Sequence, residues 1–423
     1  MQHRNQLKRT ILTLIFALFS TIFSFAQSSK LPEPRQEKLL NGLKLLIWTD
    51  ATAPKVTIKI RIHGGSAFDP KDKMGVMALL SDIIFPTDQA KAYFIEDLEG
   101  SLDVTTNYDY IQITATGKSD ELLAMIETFA NAVANAQITK EDFIKVRDAR
   151  LKKVQELEKN PAYMADLAVA KRLFGDFPYG RSVEGTSESL AKIDRADLLF
   201  AKERFLTSDN ATIAIIGNVK PDYTYRAVRQ LFGNWTKSDK LVPATFRQPD
   251  APDTTILKVN SENSNTLEIR RAWRGLARND KDFAAAWILT KLWQNRLGAN
   301  TSLNFTPHIL PGYYNLKISA GAMSMPSNNQ IPMPVAAAEL TKKSPNNDEF
   351  ENAKTQILGE IMNNHISDLW LDVDTYKLVS VQNEIQSIQN VTIAEVKNVA
   401  EKLSKAATVT VLVAKPETTA TKN

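Results

Sequence analysis

Thr139-Lys140-Glu141-Asp142-Phe143 reads as a capped helix start, a threonine with an acid three residues on, and helical spacing then runs from Phe143 to Glu158. This segment comes back later in the chain. Glu141-Asp142-Phe143 with Leu151 matches Asp348-Glu349-Phe350 with Leu358 at an offset of 207 residues. Ala196-Asp197 with Glu203-Arg204-Phe205 matches Ala394-Glu395 with Glu401-Lys402-Leu403 at an offset of 198. Ala211-Thr212-Ile213 and Lys220-Pro221 then find Ala407-Thr408-Val409 and Lys415-Pro416. The offsets shrink along the chain, as they do when a second copy has shorter loops. The reading is a duplicated domain.

Within the first copy, Lys44 to Ile62 reads as two strands joined at Ala53-Pro54, with alternation through Val56, Ile58, Ile60 and Ile62. Gly75 to Phe85 is a nearly continuous apolar helix, Val104 to Thr116 alternates as a strand, and Glu121 to Ala136 has helical spacing. Arg195 to Phe205 reads as a helix leading into the strand Ala211 to Ile216. The expected class is α+β: two tandem homologous domains, each a mainly antiparallel sheet with helices over one face. Thr236 to Thr254 is polar and carries Pro243, Pro249 and Pro252, as an extended linker does. The expected division is residues 1–26, 30–240, a linker at 241–254 centred near Arg247, 255–415, and a disordered tail at 416–423.

With 423 residues, 43% hydrophobic and 24% charged, the chain is neither low-complexity nor compositionally disordered and can bury a large core. Its one long apolar run, Ile11 to Ala26, follows Arg4, Lys8 and Arg9 and ends with Ser24 and Ala26 at the −3 and −1 places. That is the pattern of a cleavable signal peptide, and it is short for a membrane span. Export to the periplasm or cell envelope is therefore expected, with no membrane span in the mature chain. Cleavage lowers the formal charge from +4 to +1, and the paired basics lie among acids, so nucleic acid is not an expected partner. The absence of cysteine excludes disulfides, thiolate metal sites and a thiol nucleophile.

Several local patterns occur together in one order. They are Asn41-Gly42-Leu43 before a strand, Gly64-Gly65-Ser66 after one, the Gly75 to Phe85 helix, and Glu158 to Pro161. Pro178-Tyr179-Gly180-Arg181, Gly185-Thr186-Ser187-Glu188 and Ile215-Ile216-Gly217-Asn218-Val219 follow. In this order and spacing the chain resembles the insulinase-like zinc peptidases, the M16 family, over nearly the whole mature sequence. The resemblance implies half of a clam shell built from two such domains. It also implies, for active members, a His-x-x-Glu-His motif on the first helix. Positions i, i+3 and i+4 share one helix face, so two imidazoles hold zinc while the Glu acts as general base, and a later Glu completes the ligands.

Matching Gly75 and Phe85 to that pattern places Ala78 and Asp82 at the histidine positions and Ser81 at the base. Matching Glu158 to Pro161 places Lys153, to within a turn, at the third ligand. One oxygen ligand, Asp82, remains against three, so no catalytic residue and no metal is expected on this chain; zinc is expected only in a catalytic partner. His63, His308 and His365 stand alone and read as ordinary residues. Glu156 with Glu158 and Glu349 with Glu351, spaced i, i+2, read as solvated charges, and Tyr313-Tyr314 as a strand start with one ring buried.

The expected function is a non-catalytic subunit that pairs with an active M16 zinc peptidase subunit to degrade or process peptides or unfolded polypeptides. The family's strand-addition edge corresponds to Asp103-Val104-Thr105-Thr106, which is the expected substrate-binding segment. An ordinary edge strand is the alternative reading of that segment. The competing functions are a stand-alone peptide-binding protein and a metalloendopeptidase with an atypical site, which Asp82→Ala would abolish.

Overall fold

The computed structural model describes residues 33–238, 246–321, 324–326, 331–362 and 366–416. The signal-peptide expectation at 1–26, part of the linker, His3, His365 and the tail at 417–423 lie outside these. Among the described residues no helix is long and apolar enough to cross a membrane.

The first sheet has the strands β1 (Arg35–Lys38), β2 (Lys44–Thr49), β3 (Lys55–Ile62), β4 (Ser101–Thr106), β5 (Ile111–Lys118) and β6 (Ala211–Gly217), in the spatial order β1-β2-β6-β3-β5-β4. The second has β7 (Leu257–Asn260), β8 (Leu267–Arg274), β9 (Thr301–Thr306), β10 (Tyr313–Ala320) and β11 (Thr408–Ala414), in the order β7-β11-β8-β10-β9. Apart from β1 the two orders are the same. In each sheet a late strand inserts in parallel beside an early one, β6 on β2 and β11 on β7, and every other pairing is antiparallel.

The helices used below are α1 (Val76–Ile84), α2 (Leu122–Phe129), α3 (Lys140–Leu157), α4 (Pro161–Phe174), α5 (Ser187–Lys192), α6 (Arg195–Phe205) and α7 (Pro221–Phe232). The second copy adds α8 (Phe283–Arg296), α9 (Asn347–Glu360), α10 (Ile366–Tyr376), α11 (Val381–Asn390) and α12 (Ile393–Ser404). The capped starts repeat with the helices. Thr139 caps α3 and Asn346 caps α9, 207 residues apart, while Asp194 caps α6 and Thr392 caps α12, 198 apart. The stretch expected as one strand from Val104 to Thr116 is instead a hairpin. Asn107 accepts from the amides of Asp109 and Tyr110 at 2.8 Å each, which turns the chain between β4 and β5.

Alternation sorts each strand's side chains between two faces. On β3, Val56, Ile58, Ile60 and Ile62 enter the core under α1, α2, α3, α6 and α7, while Lys59 and Arg61 point the other way. That second face is covered by α10 from the second copy: Leu371 packs with Leu46, Trp48 and Ala214, Lys59 pairs with Asp368 at 2.8 Å, and Arg61 with Asp372 at 2.6 Å. The exchange is mutual. From the first copy, α4 covers the corresponding face of the second sheet with Ala165, Val169 and Leu173 against Ala272, Val409, Val411 and Val413. Asp166 on α4 accepts from Arg270 at 2.6 Å, Lys317 at 2.7 Å and Asn315 at 3.2 Å. The expectation of helices over one face is thus extended: the other face of each sheet carries a helix lent by its duplicate.

Candidate functional site

Helix α1 is buried at eight of its nine residues, which is why it reads as apolar on every side; Asp82 is the exception. Its start is fixed by two features. Asp69 accepts from the amides of Gly75 at 2.7 Å and Met77 at 2.9 Å. Gly75 sits at φ +99° with its backbone against Gly185, where a Cβ would come within 3.0 Å of Gly185 Cα and 2.9 Å of Leu190. The two glycine-containing stretches therefore meet, and they set α5 against the start of α1.

Ala78 and Asp82 lie one turn apart on one face of α1, with Ser81 beside them. Ala78 offers a buried methyl group. Ser81, also buried, donates its hydroxyl to Ala78 O at 2.7 Å. Both carboxylate oxygens of Asp82 accept from Arg150 on α3, at 2.6 Å from Nε and 2.8 Å from Nη2. Arg150 Nη1 donates to Glu184, and Lys153 Nζ donates to the same Glu184 oxygen at 2.9 Å. Two carboxylates and two cations thus close an ion-pair lattice between α1, α3 and the loop before α5. Burial opposes the charge on Arg150, yet Asp82 and Glu184 outweigh it and raise its pKa. Burial likewise opposes ionisation of Glu184, and Arg150 and Lys153 outweigh it and hold the carboxyl below its usual range. Beside the lattice lies a cavity of about 310 Å³ edged by Asp82, Phe85, Lys145, Arg150 and Lys153.

These side chains do not fit a zinc ion. The one carboxylate on α1 has both oxygens committed to a guanidinium, the neighbouring positions offer a methyl and a donating hydroxyl, and Lys153 is a cation. Among the described residues no group of three or more His, Asp or Glu side chains could hold a metal.

Arg150 and Glu184 were not singled out from the sequence. The signal for Arg150 was present: the buried residues of α3 are Phe143, Val146, Arg150 and Val154, so an arginine stands on an apolar helical stripe. Glu184 carries no periodic signal. Two other readings change. Glu158 is not a free surface charge, since it accepts from Ser187 N at 3.0 Å and Oγ at 2.6 Å at the start of α5. Glu349 likewise holds Arg296 in a two-point pair at 2.7 and 3.0 Å.

Asp103, Val104, Thr105 and Thr106 lie on β4, the end strand of the first sheet, which among the described residues pairs only with β5 and packs beside α1. Asp103 and Thr105 are exposed, and Thr106 Oγ1 is buried without a hydrogen-bond partner among the described residues. Tyr314 is buried on Phe305 and Trp273. His63 sits between Thr375 at 3.0 Å and Thr212 at 2.9 Å, and burial lowers its pKa to about 3, so it is neutral. His308 pairs with buried Asp109 at 2.7 Å and lies against Tyr179, a junction between the two copies.

Comparison with known proteins gives the same ancestry. The model described as Insulinase (Peptidase family M16) matches residues 44–187, and that of the Peptidase M16 inactive domain matches 192–299, together more than half of the chain. The chain belongs to the M16 peptidase family. It is similar to a probable mitochondrial-processing peptidase subunit beta of Arabidopsis thaliana, 23% identical over 282 residues, covering 63% of this chain and 52% of that protein. It is also similar to an uncharacterized zinc protease of Mycobacterium tuberculosis, 27% identical over 245 residues, covering 56% and 54%. The chain thus spans about half the length of these M16 relatives. Among solved structures, a protease from Helicobacter pylori has the same fold, with a TM-score of 0.80 at 15% identity over 91% of this chain and 100% of that one.

Proposed function

We propose that this M16 chain is a non-catalytic subunit that pairs with an active zinc peptidase subunit of the same family in degrading or processing peptides. The observation that carries this reading is the lattice of Asp82, Arg150, Glu184 and Lys153, which stands where the family resemblance places the metal and its base. On this reading the chain holds no zinc and has no catalytic residue, and its partner supplies both. That one relative is named as a subunit of a processing peptidase supports an assembly of paired chains. The chain's part is to supply chamber wall and a place for extended substrate along Asp103 to Thr106, where backbone hydrogen bonding to an unpaired strand edge binds peptides with little sequence demand. The N-terminal segment directs export, and the assembly works in the periplasm or cell envelope.

The same strand edge supports a second reading, a stand-alone peptide binder. Pull-down of the tagged mature chain from native envelope extract, with mass spectrometry of the eluate, separates the two. The subunit reading expects one stoichiometric chain of similar size with an intact His-x-x-Glu-His. Elution of the chain alone as a monomer or homodimer overturns it in favour of the binder.

A further inference from the structure

At the opposite end of α1 from Asp82 lies a larger cavity of about 440 Å³, within the range of roughly 300–1,000 Å³ typical of small-ligand pockets. Three stretches close on it: Ala67 to Asp69 after β3, the turn from Phe174 to Arg181, and residues 246–250, which lead towards the second sheet. Its apolar wall is aromatic. Phe246 lies 5.6 Å from Phe68 and 6.0 Å from Phe177, and Phe177 stacks on Phe174 at 6.0 Å.

The polar wall carries Arg181 and Arg204, neither of which forms an ion pair among the described residues, though Asp176 and Asp69 lie near enough to act on Arg181 through space. Among the described residues, half-buried Arg181 donates only to main-chain carbonyls, Asp176 O at 3.0 and 2.8 Å and Asp69 O at 3.1 Å. Arg204 lies over the Phe205 ring at 5.1 Å and has no carboxylate within ion-pair distance among the described residues. The acids that edge the cavity are already engaged. Asp176 is held by Lys71 at 2.6 Å and Lys171 at 2.5 Å, Asp69 by the two amides at the start of α1, and Asp250 by Arg247 at 3.4 Å.

Guanidinium groups bind carboxylates through paired, charge-assisted hydrogen bonds, and aromatic walls take up an apolar side chain. We propose that this cavity captures the C-terminal carboxylate of a peptide whose last residue is apolar or aromatic. Arg181 and Arg204 receive the carboxylate, and the Phe68, Phe177 and Phe246 rings receive the side chain. The proposal rests on the peptide-handling part of the function above and adds a terminus requirement that strand addition alone does not have.

The test is fluorescence anisotropy on the full mature chain with an N-terminally labelled, unstructured peptide ending in phenylalanine, as free acid and as C-terminal amide. N-acetylphenylalanine serves as a third probe. The acid is expected to bind roughly tenfold or more tightly than the amide, the range of one charge-assisted contact. Arg204→Gln, which removes no ion pair seen among the described residues, is expected to close most of that gap, and Phe246→Ala to weaken both peptides. Equal binding of acid and amide overturns the pocket and leaves peptide handling standing. Binding of N-acetylphenylalanine without the peptide overturns the peptide source in favour of a free aryl carboxylate. Binding of none of the three overturns the pocket together with the peptide-handling reading.

Discussion

Replacing Arg150 with methionine removes the central cation of the lattice while keeping most of its aliphatic stem. Arg150 is 7% exposed, and Asp82 and Glu184 are 34% and 30% exposed. Truncating one partner of a fully buried pair costs about 3–5 kcal/mol, and an exposed pair contributes at most about 1 kcal/mol. Here water reaches both carboxylates and Lys153 still holds Glu184, so the expected loss lies between, at about 2 kcal/mol. With about 2.1 cal/mol/K of unfolding entropy per residue, the body from Pro34 to Asn423 melts with about 0.8 kcal/mol/K, so Tm should fall by about 2–3 °C. Urea unfolding of the wild type, Arg150→Met, Asp82→Asn and the double variant should give a coupling of about 1 kcal/mol or more. The loss should also depend on pH. Glu184 has a depressed native pKa, so its contribution is present above the unfolded value and is lost as pH falls through the native one. The gap between wild type and Arg150→Met should therefore narrow below about pH 4. An unchanged Tm, additive single effects, or the same gap at pH 3 as at pH 7 would refute the lattice as the device that joins α1 to α3.

Asp69 should give the opposite pH dependence: burial lifts its pKa to about 7, so stability falls as pH rises from about 4 to 7, and Asp69→Asn should flatten that part of a urea-midpoint profile. Asp166→Ala strips three donors of their shared acceptor between α4 and the second sheet and should cost about 2 kcal/mol in the same assay, more than alanine at exposed Asp148. If substrate adds as a strand beside β4, alternate N-methylation of a bound peptide should weaken it roughly tenfold or more in anisotropy, and unchanged affinity would remove β4 from the reading.

The duplication was legible because it is written twice: Glu141-Asp142-Phe143 with Leu151 recurs as Asp348-Glu349-Phe350 with Leu358, and the structure adds paired caps at Thr139 and Asn346 and at Asp194 and Thr392. That Ala78 and Asp82 share one face of α1 was legible because helical spacing fixes it. The loan of α4 and α10 between sheets was not, because their apolar faces say only that they are covered, not by which sheet. The β4–β5 hairpin was missed because alternation continues on both sides of Asn107 and the turn rests on one side chain. Glu184 could not be found from local pattern at all, since its partners lie 31 and 34 residues away in the chain.

The lattice bears on whether the ancestral chemistry can be restored by the motif alone. The variant Ala78→His, Ser81→Glu, Asp82→His with Lys153→Glu supplies the ligands and base of the family pattern but leaves Arg150 in place. A guanidinium about 4 Å from a metal opposes each unit of positive charge by about 4 kcal/mol at an effective dielectric of 20, and a dication by about twice that. Glu184, released from Lys153, still neutralises part of Arg150, so the net penalty is smaller but of the wrong sign for binding. The four-residue variant should therefore retain little zinc after dialysis by metal analysis, and adding Arg150→Met should raise it towards one ion per chain. Stoichiometric zinc in the four-residue variant would show that the missing ligands, rather than the cation held on α3, are what keeps a metal from this site.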